Sequence, residues 1–459
     1  VSGGDMGFFY SVIGFLLAIG ILVTVHEYGH YWMARRLGVK VLRFSVGFGK
    51  PLWKRIAGPD QTEYVLAAIP LGGYVKMLGE NDPDAPIADD ERHRAFDNQA
   101  VWKRALIVAA GPGINFLFAI TLFMVLGMQD AQRLVPVLGE VSQTSPLGQA
   151  GVESGARLLS IDGKPYRHYT EHDVYIFNKL LTREPINLTV QNASGVRDIS
   201  MPTQDIPIYK ISPATLMHQL GFTPIGAPAT TEVGAVSAGY PAYDKGLLPG
   251  DKFVSINGEP VTDWSDLVRI VQPSFGRPLS LVMERNGKQF DVTLTPKTQE
   301  NQGQKTGVIG VSAKPVPRPE SQFVTISHSP VEAVVAGAEQ TWLMSMTMVR
   351  MLGKMVTLQV SHKNVNGPIM IADVAGQVIQ IGWESYVSFL ALISISLGVM
   401  NLLPVPMLDG GHLLRFAVEV VAGRRISEKV YLAIQPLGLL MLAGLMSLAF
   451  YNDISAIFN

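Results

Sequence analysis

His26-Glu27-Tyr28-Gly29-His30 sits inside the apolar run from about Phe8 to Met33, and that stretch decides what kind of molecule this is. On a helix, residues i and i+4 share a face, so the two imidazoles can reach one metal ion. Glu27, next to the first histidine, projects beside that metal, where it can take a proton from water. Zinc lowers the pKa of bound water to about 7, which gives a nucleophile at neutral pH. Ionisable side chains inside an apolar span are costly and read as functional by default. The competing reading is a hydrogen-bonded polar cluster between helices.

The rest of the chain supports a membrane setting. Hydrophobic residues make up 47% of the 459, and mean hydropathy is +0.23. Four stretches reach the roughly 20 apolar residues a bilayer crossing needs: 6–36, 101–128, 384–408 and 430–451. Val1–Asp5 precede Met6 and read as a cloning remnant. The first run lacks a basic start and a small-residue cleavage site, so it is expected to be retained. With no cysteine, any metal must be held by His, Asp or Glu, and a net charge of -1 gives no reason to expect a nucleic-acid partner. The loop between the first two spans carries Arg35, Arg36, Lys40, Lys54, Lys103 and Arg104, among others; the loop after the third carries Arg415, Arg424, Arg425 and Lys429. By the positive-inside rule both loops are cytoplasmic, so both termini and the long middle region lie on the other side.

The middle region contains a repeat. Gly139, Gly155 and Ile161 recur as Gly234, Gly250 and Ile256, each 95 residues on. Strand-like runs broken by Gly, Pro and Asn predict two small sheet domains, 133–225 and 226–316, each with one helix (Glu171–Leu181, Trp264–Val271). Residues 37–100 link two spans yet contain strand-like runs between Phe44 and Met77. The expected arrangement is a sheet edge dipping toward the site, which is permitted only where protein or water covers it; a plain cytoplasmic hairpin is the alternative. The Met-rich segment 330–360 is amphipathic and suits either the membrane interface or packing against the spans.

A catalytic zinc site takes three protein ligands and keeps one open position. Asp409, at the end of the third apolar run, is the leading third candidate. Pro404 and Pro406 ahead of it bend the chain, and Gly410 and Gly411 permit close approach. His412 is its rival. Lying near the cytoplasmic ends of their runs, His26, His30 and Asp409 can meet at one depth.

These residues closely resemble the site-2 protease family of intramembrane zinc metalloproteases. The resemblance runs from about Met6 to the end. It includes His26-Glu27 with His30, the Phe44–Gly49 and Pro70–Met77 runs, Gly111-Pro112 with Asn115-Phe116, and Asn401 through Gly411. It implies zinc held by His26, His30 and Asp409, with Glu27 as general base. It implies two extracytoplasmic PDZ domains, and a membrane-reentrant β-loop around Gly72, Gly73 and Tyr74 that pairs with extended substrate. Asn401 matches a position near the substrate strand. The second repeat keeps Gly250-Asp251 where the first has Gly155-Ala156, which makes a peptide pocket in the first less secure. The implied fold is a four-span α-helical membrane protein with a reentrant β region and two α+β domains. The implied activity is cleavage of single-span membrane proteins in a bacterial inner membrane. Implied substrates are of the anti-sigma-factor type, in an envelope stress response, and remnant signal peptides, after trimming by a site-1 protease. Two other classes stay open: a metal-ion transporter using the same three donors, and an inactive PDZ membrane scaffold.

Overall fold

The computed structural model describes residues 3–80, 87–206, 216–226, 230–301, 304–357, 367–425 and 428–458. Val1, Ser2 and parts of the expected segments 37–100, 133–225, 226–316 and 330–360 lie outside them. Helix α1 (Gly3–Arg36) includes Gly3–Asp5. At 1.5 Å per residue its 34 residues span about 51 Å, well beyond a hydrocarbon core of about 30 Å. It stops where Gly38 takes a positive φ of 84°. There Val39 N–H reaches back to Ala34 O (2.9 Å) and Gly38 N–H to Arg35 O (3.2 Å), a Schellman termination.

Two long strands follow, β1 (Val41–Ala57) and β2 (Thr62–Met77), paired antiparallel with several register shifts. The shifts matter: β1 residues have partners on both sides. Ser45 is matched to Tyr74 and also to Val65, and Val46 to Gly73 and also to Leu66. Among the described residues, Gly73–Met77 is paired only to β1, so its other side is an open edge.

Helix α2 (Val101–Gly127) packs against α1 through small residues. A Cβ on Gly29 would lie 2.3 Å from Ala110 O, so the helices approach closer than any larger residue allows. Beyond α2, β3 (Ala131–Leu134) pairs with β16 (Phe323–Ile326), closing off the middle region.

That region holds two four-stranded sheets. One has the order β5-β4-β6-β7, from β4 (Arg157–Ile161), β5 (Lys164–Pro165), β6 (Ile186–Asn192) and β7 (Gly195–Met201), with helices α3 (Pro146–Gln149), α4 (Asp173–Thr182) and α5 (Leu216–Leu220). The other has the order β10-β9-β11-β12, from β9 (Lys252–Ile256), β10 (Glu259–Pro260), β11 (Leu279–Arg285) and β12 (Lys288–Leu294), with α6 (Pro241–Asp244) and α7 (Trp264–Val271). The repeated sequence has a backbone reason. Asp162-Gly163 and Asn257-Gly258 take positive φ at both positions (48° and 76°; 50° and 81°), the form tight hairpins favour. The second unit adds β8 (Val233–Val236) paired with β15 (Val311–Ala313), and a hairpin of β13 (Lys297–Asn301) and β14 (Gln304–Val308). Each unit has its own core, around Phe222 and Phe253 respectively.

Helix α8 (Pro330–Val356) opens with a capping box of Ser329 and Glu332. Met344, Met348 and Leu352 pack into the cluster of Ala119 and Ile395, while Val331 and Trp342 face outward. Its far end docks on the first sheet unit, where Asn178 Nδ2 donates to Thr347 Oγ1 at 2.7 Å. Helix α9 (Pro368–Ile381), 14 residues long, is too short to cross a bilayer and had no counterpart among the expected segments. Its first turn donates to buried Asp453, through Gly367 N–H (2.7 Å), Ile369 N–H (2.9 Å) and Met370 N–H (3.1 Å). Asp453 belongs to the last helix, α12 (Glu428–Phe458).

Among the described residues, four helices are long and apolar enough to span a membrane: Gly7–Arg36, Val101–Gly127, Trp383–Asn401 and Gly438–Ser455. The third, α10 (Trp383–Asn401), is shorter than the expected 384–408. Pro404 and Pro406 cannot continue the helical hydrogen bonds, so the chain turns. Asp409 therefore does not end the third span; it opens a separate helix, α11 (Asp409–Ala422).

Candidate metal centre

His26, His30 and Asp409 each aim one ligand atom at a common point, all within 4.8 Å of one another. Asp409 Oδ2 lies 3.3 Å from His26 Nε2 and 3.5 Å from His30 Nε2. The two Nε2 atoms are 3.3 Å apart. Asp409 Oδ2 is buried with no hydrogen-bond partner. A buried carboxylate oxygen left this way is costly, and a cation between the three donors removes the cost. Two imidazoles and one carboxylate also match the ligand types zinc takes.

The surroundings orient the rings. His30 Nδ1 is 2.9 Å from Ile107 O, so it carries the proton, and Nε2 keeps its lone pair for a metal. The Asn115 carboxamide lies 3.2 Å from His26 Nδ1. With its oxygen turned to the ring it accepts the Nδ1 proton and frees Nε2 in the same way. Asn401 Nδ2 approaches His26 Nε2 at 3.4 Å. Helix α2 makes room for both rings at Gly111, where a Cβ would fall 2.2 Å from His30 Nε2 and 2.9 Å from His26 Cε1.

The three donors line a cavity of about 280 Å³ together with Glu27, Gly73, Tyr74 and Asn401. Gly73 is forced by crowding: a Cβ there would lie 2.9 Å from Glu27 Cγ and 2.8 Å from Ser45 O. The open edge of β2 therefore passes directly beside Glu27. Tyr74 is fixed by Arg43, whose Nη1 donates to its hydroxyl at 3.0 Å, and by stacking on Phe48. Gly72 does not line the cavity. It sits a residue back with a φ of 155°, against the Phe48 ring. His412, one turn beyond Asp409, lines the cavity but stands outside the three-donor cluster.

Sequence reasoning assigned no role to Asn115, although a polar residue in the middle of a span is itself a signal. It also missed the Ile107 carbonyl, which no side-chain pattern reveals, and Glu80. The Glu80 carboxylate lines the cavity and accepts from Met77 N–H at 3.1 Å; burial pushes its pKa up to about 7.

Peptidase family M50 matches residues 14–445 of this chain. The chain belongs to this family, the site-2 proteases. Curated relatives include the regulator of sigma-E protease RseP of Escherichia coli K12, 37% identical over 454 residues, 98% of this chain and 99% of the relative. Protease RseP of Yersinia pestis is 38% identical over the same shares. The regulator of sigma E protease of Salmonella typhi is 38% identical, covering 97% of this chain and 98% of the relative. This M50 peptidase is thus a multi-pass membrane protein and a zinc metalloprotease of the site-2 type. The transporter and scaffold alternatives give way to that membership.

Proposed function

We propose that His26, His30 and Asp409 hold the zinc ion, that Glu27 is the general base, and that the open edge of β2 at Gly73–Val75 binds the substrate. The observation that carries this reading is the convergence of three metal donors and one further carboxylate in a cavity bordered by an unpaired strand edge.

Zinc at these donors supplies Lewis acidity to the scissile carbonyl and to water. Glu27 takes one proton from the attacking water as its oxygen bonds to the carbonyl carbon. It then delivers that proton to the amide nitrogen as the C–N bond breaks. A helical substrate shields its amides by its own hydrogen bonds, so it must be extended first. Pairing with Gly73–Val75 does this by strand addition, and Asn401 is placed to donate to the extended backbone beside His26. The β1–β2 sheet then acts as a membrane-reentrant element. The exposed apolar side chains of Phe48, Leu52, Trp53 and Ile56 support that setting.

The substrate class is the single-span membrane protein, as the anti-sigma-factor substrates of envelope-stress signalling and remnant signal peptides are, already trimmed by a site-1 protease. The protein sits in a bacterial inner membrane with the site toward the cytoplasm, following the basic loops. The two sheet units are periplasmic PDZ domains that exclude untrimmed ectodomains. The test is cleavage of a single-span substrate by purified protein in proteoliposomes. Glu27→Gln is expected to keep zinc and lose roughly 10²–10⁴-fold in rate, and Asp409→Ala to lose zinc. Full cleavage by zinc-loaded Glu27→Gln, or unchanged zinc in Asp409→Ala, refutes the assignment. Deleting 133–316 should speed cleavage of long-ectodomain substrates; if it does not, the filter role is wrong.

A further inference from the structure

The third proposed donor belongs to a different helix from the other two. His26 and His30 are fixed on α1, which α2 holds through Gly29, Gly111 and the Ile107 carbonyl. Asp409 is in the first turn of α11, so its place depends on how α11 lies against α2. At its near end α11 is held by close backbone contact: a Cβ on Gly410 would be 2.2 Å from Leu403 O, and one on Gly411 2.4 Å from Val405 O. At its far end is a buried ion pair. Arg104 Nη2 of α2 donates to Glu419 Oε2 of α11 at 2.8 Å, with side chains only 3% and 1% exposed. The Arg104 guanidinium also stacks on Phe416, 4.8 Å from the ring centre, and Arg415 Nε lies 3.3 Å from Glu419 Oε1.

Two stripes face each other here. Gly111, Val108 and Arg104 descend one face of α2. Asp409, His412, Phe416 and Glu419 descend one face of α11. Val108 and Arg104 on one side of this seam, and Asp409, His412 and Phe416 on the other, line the cavity that holds the three donors. Asp409 and Glu419 are ten residues apart, about 15 Å along the helix. On a lever of that length, a tilt of about 1° moves the far atom by roughly 0.3 Å, already beyond the roughly 0.2 Å tolerance of a metal–ligand distance.

We infer that the Arg104–Glu419 pair is a positioning device for the metal centre: it fixes the register of α11 on α2 and so sets Asp409 at the depth of His26 and His30. A buried ion pair adds little net stability over a well-packed apolar pair, but it accepts far fewer geometries. Apolar faces can slide past one another; a guanidinium bonded to a carboxylate cannot. The inference rests on Asp409 being a ligand, and Asp409→Ala tests that separately.

The experiment measures zinc affinity by chelator competition on the purified full-length protein, with thermal melting as the check on the fold. The d–d spectrum of the cobalt-substituted protein reports ligand geometry. Arg104→Met and Glu419→Gln are expected to bind zinc roughly 10–100-fold more weakly, as loss of an outer-shell partner does, and to shift the cobalt spectrum. The double variant Arg104→Met with Glu419→Met, an apolar pair of similar volume, is expected to recover melting temperature while zinc affinity and the cobalt spectrum stay displaced, because the apolar faces no longer fix the register of α11. Wild-type zinc affinity and spectrum in either folded single variant overturns the inference. So does a double variant that regains its melting temperature together with wild-type zinc affinity and spectrum. Unchanged zinc in Asp409→Ala instead overturns the ligand assignment beneath it.

Discussion

Gly111→Ala adds one methyl group at the tightest point of the centre. The new Cβ would lie 2.2 Å from His30 Nε2 and 2.4 Å from His30 Cε1, where ordinary contact begins at 3.4 Å. The ring must therefore retreat by about 1.2 Å, several times the roughly 0.2 Å a metal–ligand bond tolerates. It cannot retreat freely, because Nδ1 is tied to Ile107 O, one turn earlier on the same helix. Either that hydrogen bond breaks or α1 moves off α2, and overpacking of this kind costs about 1–3 kcal/mol. Zinc affinity should fall by about 100-fold or more, at or beyond the upper end for loss of an outer-shell partner. Chelator competition measures it, with thermal melts in the presence and absence of zinc. Gly113→Ala is the matched control. It sits in the same helix with nothing within 4 Å of the added methyl, so it should keep zinc and gain helix stability of about 0.5–1 kcal/mol. If Gly111→Ala binds zinc as Gly113→Ala does, the account of how α2 seats the histidines is wrong.

Asp453→Ala removes the acceptor for three N–H groups of the first turn of α9; it should destabilise the fold by an amount typical of a lost helix cap, about 1–2 kcal/mol, read as a lower melting temperature. Asp453→Asn, which keeps one acceptor oxygen, should fall between the two; equal melting of all three would show that the cap contributes nothing. Glu80 makes stability depend on pH. Its carboxyl is raised by burial from 4.5 to about 7, so the folded protein holds a proton that the unfolded chain has already released. The resulting stability is present below pH 4.5 and is lost as pH rises through 7. Glu80→Gln should therefore show a smaller drop in melting temperature between pH 5 and pH 8 than the parent, and parallel curves would count against the buried-acid reading. Asn178→Leu removes the hydrogen bond to Thr347 and should speed amide exchange in α4 while leaving the cores of the four spans unchanged.

The parts of this protein legible in its sequence are those whose geometry is local. His26 and His30 share a helix face by spacing alone, and the Asp162-Gly163 and Asn257-Gly258 turns follow from residue type. What could not be read depends on partners far apart in the chain. Alternation marks β1 and β2 as strands, but it cannot say that Ser45 pairs with both Tyr74 and Val65, nor that Gly73–Met77 is left as an edge. Asp409 was identifiable as a carboxylate beside prolines, yet those prolines end one helix and leave the aspartate to begin another. Helix α9 fell below the length that marks a span. Arg104 entered the sequence reading as one more cytoplasmic basic residue. Its partner, Glu419, lies 315 positions away, and a charge count cannot tell a solvated arginine from one buried against a carboxylate.

These separate facts share one support. Arg104, Ile107, Gly111 and Asn115 recur on α2 at intervals of three or four residues, so they occupy one face. Each acts on the centre in its own way: Ile107 O fixes the His30 ring, Gly111 leaves space for both imidazoles, Asn115 orients His26, and Arg104 holds the helix that carries Asp409. Asn115 O also accepts from Ser394 Oγ of α10 at 2.8 Å, tying in the helix that ends at Asn401. The span that carries none of the proposed donors is therefore the template on which they are assembled. In a bilayer, where water cannot satisfy stray polar groups, one helix that meets each need by backbone, by space and by charge keeps α1, α10 and α11 in register.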